Sequence, residues 1–196
     1  DGVLFAQHID QFLDPFDPHE AALVTGAGNG IGRAIAHGLV GEGVRTVFAD
    51  ISAERVEEAV ARARRTGQPI GLLHADLDEF KSVNDAFGHE AGDRLLRQVA
   101  DRLRPLCRPQ DTLARVGGDE FALIYGNART RHEIDALARL ILAAFEQPFD
   151  LDGPRALLGV SIGIATAPAD GGVAASLLRK ADLALYAAKA GGRNGF

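Results

Sequence analysis

The chain of 196 residues has no tryptophan, no methionine and one cysteine. A lone cysteine, Cys107, excludes a disulfide framework or a cysteine-built zinc site within one chain. Such usage fits a reducing compartment, so a cytoplasmic location is expected. No apolar run approaches the roughly 20 residues that a membrane-spanning helix needs, and no signal peptide is read. Basic residues are outnumbered, 21 Lys and Arg against 27 Asp and Glu, for a net charge of −6. A surface for a nucleic-acid polymer is therefore not expected, although metal ions and backbone N–H groups can still bind phosphates. Methionine is missing even at position 1, so the chain is expected to be a piece of a longer protein. Apolar residues reach 46%, which is enough to build a core.

Two grammars follow one another along the chain. Residues 1–19 contain two Asp-Pro steps and read as an irregular lead-in. "AALVT" is a short strand, and "GAGNGIG" a glycine-rich turn into a helix through Ile31, Ile35 and Leu39. "VRTVFAD" is a second strand. A helix follows over 52–66, with Ser52 as a candidate N-cap and Gly67 as its stop. "PIGLLHADLD" is a third strand, ending in acids. The pattern then changes to helix, break and helix across "SVNDAFGHEAGD", with Leu95, Leu96, Val99 and Leu103 on one face and Cys107 in the helical pattern. A hairpin over 111–126 comes next, then a helix through Ile134, Leu137, Ile141 and Phe145. Two strands around Asp-Gly-Pro and a last helix complete the order. The fold class is α/β: a Rossmann-like βαβ segment over 20–66, then an α+β core over 67–196 with an antiparallel hairpin.

The hairpin tip, "ARVGGDEFALIYG", poses a chemical question. Gly117 and Gly118 suit a turn, but folding does not ask for Asp119 and Glu120 side by side. If strand 69–77 lies beside the hairpin, Asp76 joins them. Three carboxylates at sheet ends repel unless a cation sits among them, and Mg²⁺ takes carboxylate oxygens together with substrate phosphates. A phosphate chain could lie against the bare backbone of Gly117 and Gly118. Taken alone, these pieces are explained equally well by a solvated acidic tip.

"DLDEFKSVNDAFGHEAGD", "RPQDTLARVGGDEF", "VSIGIA" and "RKADLALYAAKAGGRN", in this order and spacing over about residues 68–196, resemble the GGDEF domain of diguanylate cyclases. The resemblance implies a cyclase of GTP, using Mg²⁺ or Mn²⁺, active as a homodimer and producing cyclic di-GMP. It implies metal ligands at Asp76, the Leu77 carbonyl, Asp119 and Glu120, with Asp119 helping to deprotonate a ribose hydroxyl. Lys81, Lys189 and Arg193 match phosphate-binding cations, and Asn84 and Asp93 match the positions that read guanine. Arg108 and Asp111 match the family's product-inhibition site, with Asp111 separated from Gly117 by residues 112–116. Singly, Lys81 could be a solvated helix lysine, Asn84 a helix cap, Asp93 the N-cap of helix 94–106, and Arg108 with Asp111 a surface ion pair.

The front of the chain resembles the opening of short-chain dehydrogenases. Thr25, Gly26, Gly30 and Gly32 stand as TGxxxGxG, and Asp50 ends the next strand where that family places an acid for the adenosine ribose. The likeness stops after about residue 66, and no Tyr-x-x-x-Lys follows, so dehydrogenase activity is not expected. The expected arrangement is a chimera. Three functions stand at this point: an active cyclase, a module that only holds GTP or cyclic di-GMP, and, favoured only by residues 20–50, a dinucleotide-binding fragment.

Overall fold

The computed structural model describes Ala22–Thr25, Thr46–Ala49 and residues 53–196. The chain divides into two compact units, Asp1–Asp50 and Ile51–Phe196. In the first, β1 (Ala22–Thr25) and β2 (Thr46–Ala49) pair in parallel, with Ala22 opposite Thr46. These are the two strands expected there. The lead-in 1–19, the helix through Ile31, Ile35 and Leu39, and Gly26, Gly30, Gly32, Asp50 and Ser52 lie outside the described residues.

The second unit runs α1 (Ala53–Thr66), β3 (Ile70–Leu77), α2 (Phe80–Phe87), α3 (His89–Leu103), a 3₁₀ turn (Arg104–Leu106), β4 (Thr112–Arg115) and β5 (Glu120–Tyr125). It continues with α4 (Arg131–Phe145), β6 (Phe149–Asp150), β7 (Arg155–Ala156), β8 (Val160–Ala167) and α5 (Ala174–Ala190). The main sheet has the order β4-β5-β3-β8, antiparallel throughout. The third strand, which both grammars claim, is therefore central in the antiparallel sheet.

Both faces of that sheet are covered, which explains why β3 reads as a nearly continuous apolar run. Leu73, Ala75 and Leu77 share a core with Leu95 and Val99 of α3 and Ile134 and Ile141 of α4. Ile70 and Leu72 point the other way, into a core with Val56 and Val60 of α1 and Leu177 and Ala181 of α5. By the period-two alternation of a strand, His74 and Asp76 share the α5 side.

Punctuation follows the chemistry of the chain. Gly67, at φ +69°, takes the left-handed position that ends α1, its N–H donating to the Ala63 carbonyl. Gly88, at φ +84°, makes the break between α2 and α3. Because α3 starts at His89, Asp93 lies inside it and cannot be its N-cap. The stretch 149–167 forms three strands where two were expected. Asp152 and Gly153, at φ +62° and +128°, close β6 and β7 into a separate ribbon, and β8 begins only at Val160.

Cys107 is not helical as expected. It follows the 3₁₀ turn in an extended conformation, with its thiol 3.4 Å from the Leu103 carbonyl. Burial, reinforced by the charge of Asp111, pushes the thiol pKa up to about 11. The reactive species is the thiolate. Maleimide at pH 7 is therefore expected to label the native protein far more slowly than the unfolded chain. Equal labelling rates in the two states would contradict this.

Candidate active site

Pairing of β3 with β5 sets Asp76 directly opposite Glu120. Like charges facing each other across a ladder are destabilising, so the pair calls for a cation. Lys189, in the last turn of α5, places its Nζ 2.7 Å from Asp76 Oδ2. Asp119 joins through its main chain, its carbonyl accepting from the Leu77 N–H at 3.1 Å. Of the three carboxylates expected to gather, Asp76 and Glu120 are register partners and Asp119 is tied in only by its main chain. Among the described residues, however, no group of three or more His, Cys, Asp or Glu side chains converges on one metal position. The donors at 76, 119 and 120 are all carboxylate oxygens at adjoining strand ends, the donor type that Mg²⁺ and Mn²⁺ prefer. By donor type the residues suit such an ion, which would compete with Lys189 for Asp76.

The hairpin tip corrects one reading. Gly117 and Gly118 both keep φ out of the left-handed region, so the turn does not demand glycine for its backbone. Glycine supplies room instead. A Cβ on Gly118 would meet nothing within 4 Å, and one on Gly117 would come 2.7 Å from Glu120 Oε2. Val116 N–H closes the loop on the Glu120 carbonyl at 2.9 Å.

Two side chains that the sequence reading passed over brace this region. Arg115 donates from Nε to the Gly117 carbonyl at 3.1 Å and from Nη2 to the Gly118 carbonyl at 2.8 Å. Burial lowers its pKa, and the charges of Asp93 and Asp119 pull it back up. His74 sets Nδ1 2.7 Å from Asp182 Oδ1 of α5 and Nε2 3.8 Å from Glu120 Oε2. The available signals were a position two residues before the glycine pair for Arg115 and two-residue spacing from Asp76 for His74.

Of the expected substrate residues, Asp93 lies near enough to Arg115 for their charges to interact, and Arg193 sits in the turn after α5. Asn84 lies against the backbone of Gly92, where a Cβ would collide with its Oδ1, and this brings it beside Asp93. Lys81, Asp93 and Arg193 are exposed. Arg108 and Asp111 pair with each other, which is the ion-pair alternative, and leave Asp111 no free oxygen for a guanine edge. Asp111, whose side chain is 0% exposed, accepts from Arg108 Nε at 3.0 Å, Nη2 at 2.9 Å and N–H at 2.9 Å, and from Gly126 N–H at 3.0 Å. Four donors fill a carboxylate. The bond to Asp111 raises the Arg108 pKa, and the guanidinium stacks 3.7 Å over the Tyr125 ring.

The family described as diguanylate cyclase, GGDEF domain, matches residues 50–195. The chain belongs to this GGDEF family. The match begins one residue before the second compact unit does. The bifunctional diguanylate cyclase/cyclic di-GMP phosphodiesterase MucR of Pseudomonas aeruginosa is 43% identical over 73% of this chain and 21% of its own length. The response regulator PleD of Caulobacter vibrioides is 36% identical over 71% of this chain and 31% of its own. The chain thus spans less than a third of either relative. Among solved structures, the isolated GGDEF domain of YfiN from Pseudomonas aeruginosa superposes with a TM-score of 0.71 at 35% identity, over 73% of this chain and 84% of that one. The GGDEF domain of DgcB from Caulobacter crescentus, solved with cyclic di-GMP, gives 0.66 at 32% identity, over 72% and 84%. The mixed α/β fold with its antiparallel sheet is that of GGDEF domains. The short-chain dehydrogenase likeness of residues 20–66, and with it the chimera, gains no support: α1 falls within the GGDEF match and β3 within the GGDEF sheet.

Proposed function

We propose that this GGDEF domain condenses two GTP molecules into cyclic di-GMP as a homodimer, and that residues 67–196, led by α1, carry the chemistry. The observation that carries the reading is the Asp76–Glu120 pair, tied by Leu77 to Asp119 and lying beside the open backbone of Gly118. Asp76, the Leu77 carbonyl, Asp119 and Glu120 would hold Mg²⁺ or Mn²⁺, which when bound offsets triphosphate charge. Gly117 and Gly118 let the phosphates approach the loop, and Lys81, Lys189 and Arg193 balance their charge. Asn84 and Asp93 accept from and donate to the guanine edge, where a carboxylate suits two N–H donors. Asp119 takes the proton from a ribose 3′-OH. That oxygen bonds to the α-phosphorus of the GTP on the partner subunit, and pyrophosphate leaves. The reciprocal step closes the ring and releases a second pyrophosphate. Incubation with GTP and Mg²⁺, followed by chromatography, is expected to yield cyclic di-GMP and two pyrophosphates for each. Absence of product would overturn this reading.

The Lys189–Asp76 ion pair favours a second reading, in which the domain binds GTP or cyclic di-GMP without turning it over. GTP binding by calorimetry without product would favour it.

A product site at Arg108 and Asp111 is part of the same proposal. Asp111 holds the guanidinium, and Arg108 meets the ligand. Arg108→Ala is expected to lose cyclic di-GMP binding and to relieve product inhibition. Unchanged cyclic di-GMP affinity in calorimetry would remove this site.

A further inference from the structure

The second acid of "HADLDEF" is buried, with 8% of its surface exposed, and takes no part in the carboxylate pair. Asp78 Oδ1 accepts from Ser161 Oγ at 2.7 Å, and its Oδ2 accepts from the Asn194 N–H at 3.0 Å. Its own N–H donates to the Gly159 carbonyl at 3.0 Å. A Cβ on Gly159 would come 2.8 Å from Asp78 Oδ2 and 3.3 Å from Asn194 Cβ, so glycine there makes room for the contact.

What Asp78 grips is the turn after α5. The helix ends in a Schellman motif, with Gly192 N–H on the Lys189 carbonyl at 3.5 Å and Arg193 N–H on the Ala188 carbonyl at 3.1 Å. Gly192, at φ +123°, meets the backbone demand of that motif. Arg193 and Asn194 then continue at φ +62° and +46°, which side-chain-bearing residues rarely adopt. Such a run persists only where its surroundings hold it. Asp78 holds it on one side, and the Gly195 carbonyl, accepting from Ile162 N–H at 2.9 Å, holds it on the other.

We infer that Asp78 is a positioning residue, a latch between β3 and the C-terminal turn that fixes Arg193 for contact with the substrate's terminal phosphates, which GMP lacks. The inference rests on the proposed GTP site and adds the group that sets its geometry. It separates the two acids of one short motif: Asp76 serves the charge at the site, and Asp78 the backbone that carries a cation to it.

Calorimetry of the full chain with GTP and with GMP tests this, with Ca²⁺ replacing Mg²⁺ so that GTP is bound but not consumed. Asp78→Asn is expected to weaken GTP about tenfold, the scale of one charge-assisted contact, while leaving GMP affinity unchanged. Arg193→Ala should lose the same factor. The double variant should lose no more than either alone, because the two residues act through one contact. Ser161→Ala keeps the carboxylate but removes one donor, and is expected to give a smaller loss in the same direction. It carries the test should Asp78→Asn fail to fold. Losses that multiply in the double variant, or equal weakening of GTP and GMP, would overturn the latch while the GTP site stands. A parent chain that binds no GTP overturns both.

Discussion

Asp119→Asn is expected to abolish cyclic di-GMP synthesis, by about a hundredfold or more, the usual scale for losing a positioned base. The fold should be indifferent. Asp119 contributes to the sheet through its carbonyl, which accepts from the Leu77 N–H, and the substitution keeps that atom. Its side chain sits at a loop tip, where changes are commonly worth within about 0.5 kcal/mol. What the substitution removes is a negative charge beside the Asp76–Glu120 pair and the proton acceptor assigned to the ribose hydroxyl. The two consequences are measured separately. Product formed from GTP and Mg²⁺ is followed by chromatography, and unfolding by circular dichroism. Loss of product with an unchanged melting temperature is the expected pair of results. Synthesis at the parent rate would take the base away from Asp119.

The periodic parts of the molecule were legible because they are periodic for physical reasons. The stripe of Leu95, Val99 and Leu103 marks a helix that buries one face, and all three are buried in α3. The apolar run of β3 marks a strand covered on both sides, and Gly67 and Gly88 mark stops because their φ values are positive. Spacing also carried the GGDEF likeness, which the family match bears out. Contacts between elements distant in sequence were not legible. Nothing near residue 78 announces that its carboxylate will meet the N–H of Asn194, or that His74 will meet Asp182. The small β6–β7 ribbon depends on a positive φ at Asp152, a residue type that does not force one. The glycine-rich front was legible as a motif, and its two strands pair in parallel, yet a turn motif alone does not define a domain. The glycines of the hairpin were legible as turn residues, but not the reason for them. Sequence says that a side chain is missing, but not whether the backbone or a neighbour needs it gone.

That distinction yields the largest expected loss of stability. Gly163, in β8, faces α5 at its closest approach to the sheet. A Cβ there would fall onto the Ala181 carbonyl and the Leu185 N–H, and would come 2.8 Å from Leu185 Cβ. Two of these three obstacles are helix backbone, which cannot swing aside as a long side chain can. Around it the layer is lined with alanines, Ala165, Ala167, Ala174 and Ala181, all buried, so helix and sheet sit too close to absorb a methyl group. Gly163→Ala must therefore displace α5. Overpacking of this kind costs about 3 kcal/mol, or more where backbone is struck. For a domain of this size that lowers the melting temperature by roughly 10 °C. The displacement also moves the helix that carries Lys189 and Asp182, so the Lys189–Asp76 and Asp182–His74 contacts should loosen with it. Gly118→Ala is the matching control for stability. It adds the same methyl group where nothing lies within 4 Å and φ is ordinary, so its melting temperature should stay within about 2 °C of the parent. Calorimetric or circular-dichroism melting of the two variants decides the matter. If Gly163→Ala melts with the parent, the contact between α5 and β8 is looser than its geometry implies, and the helix is free to shift relative to Asp76.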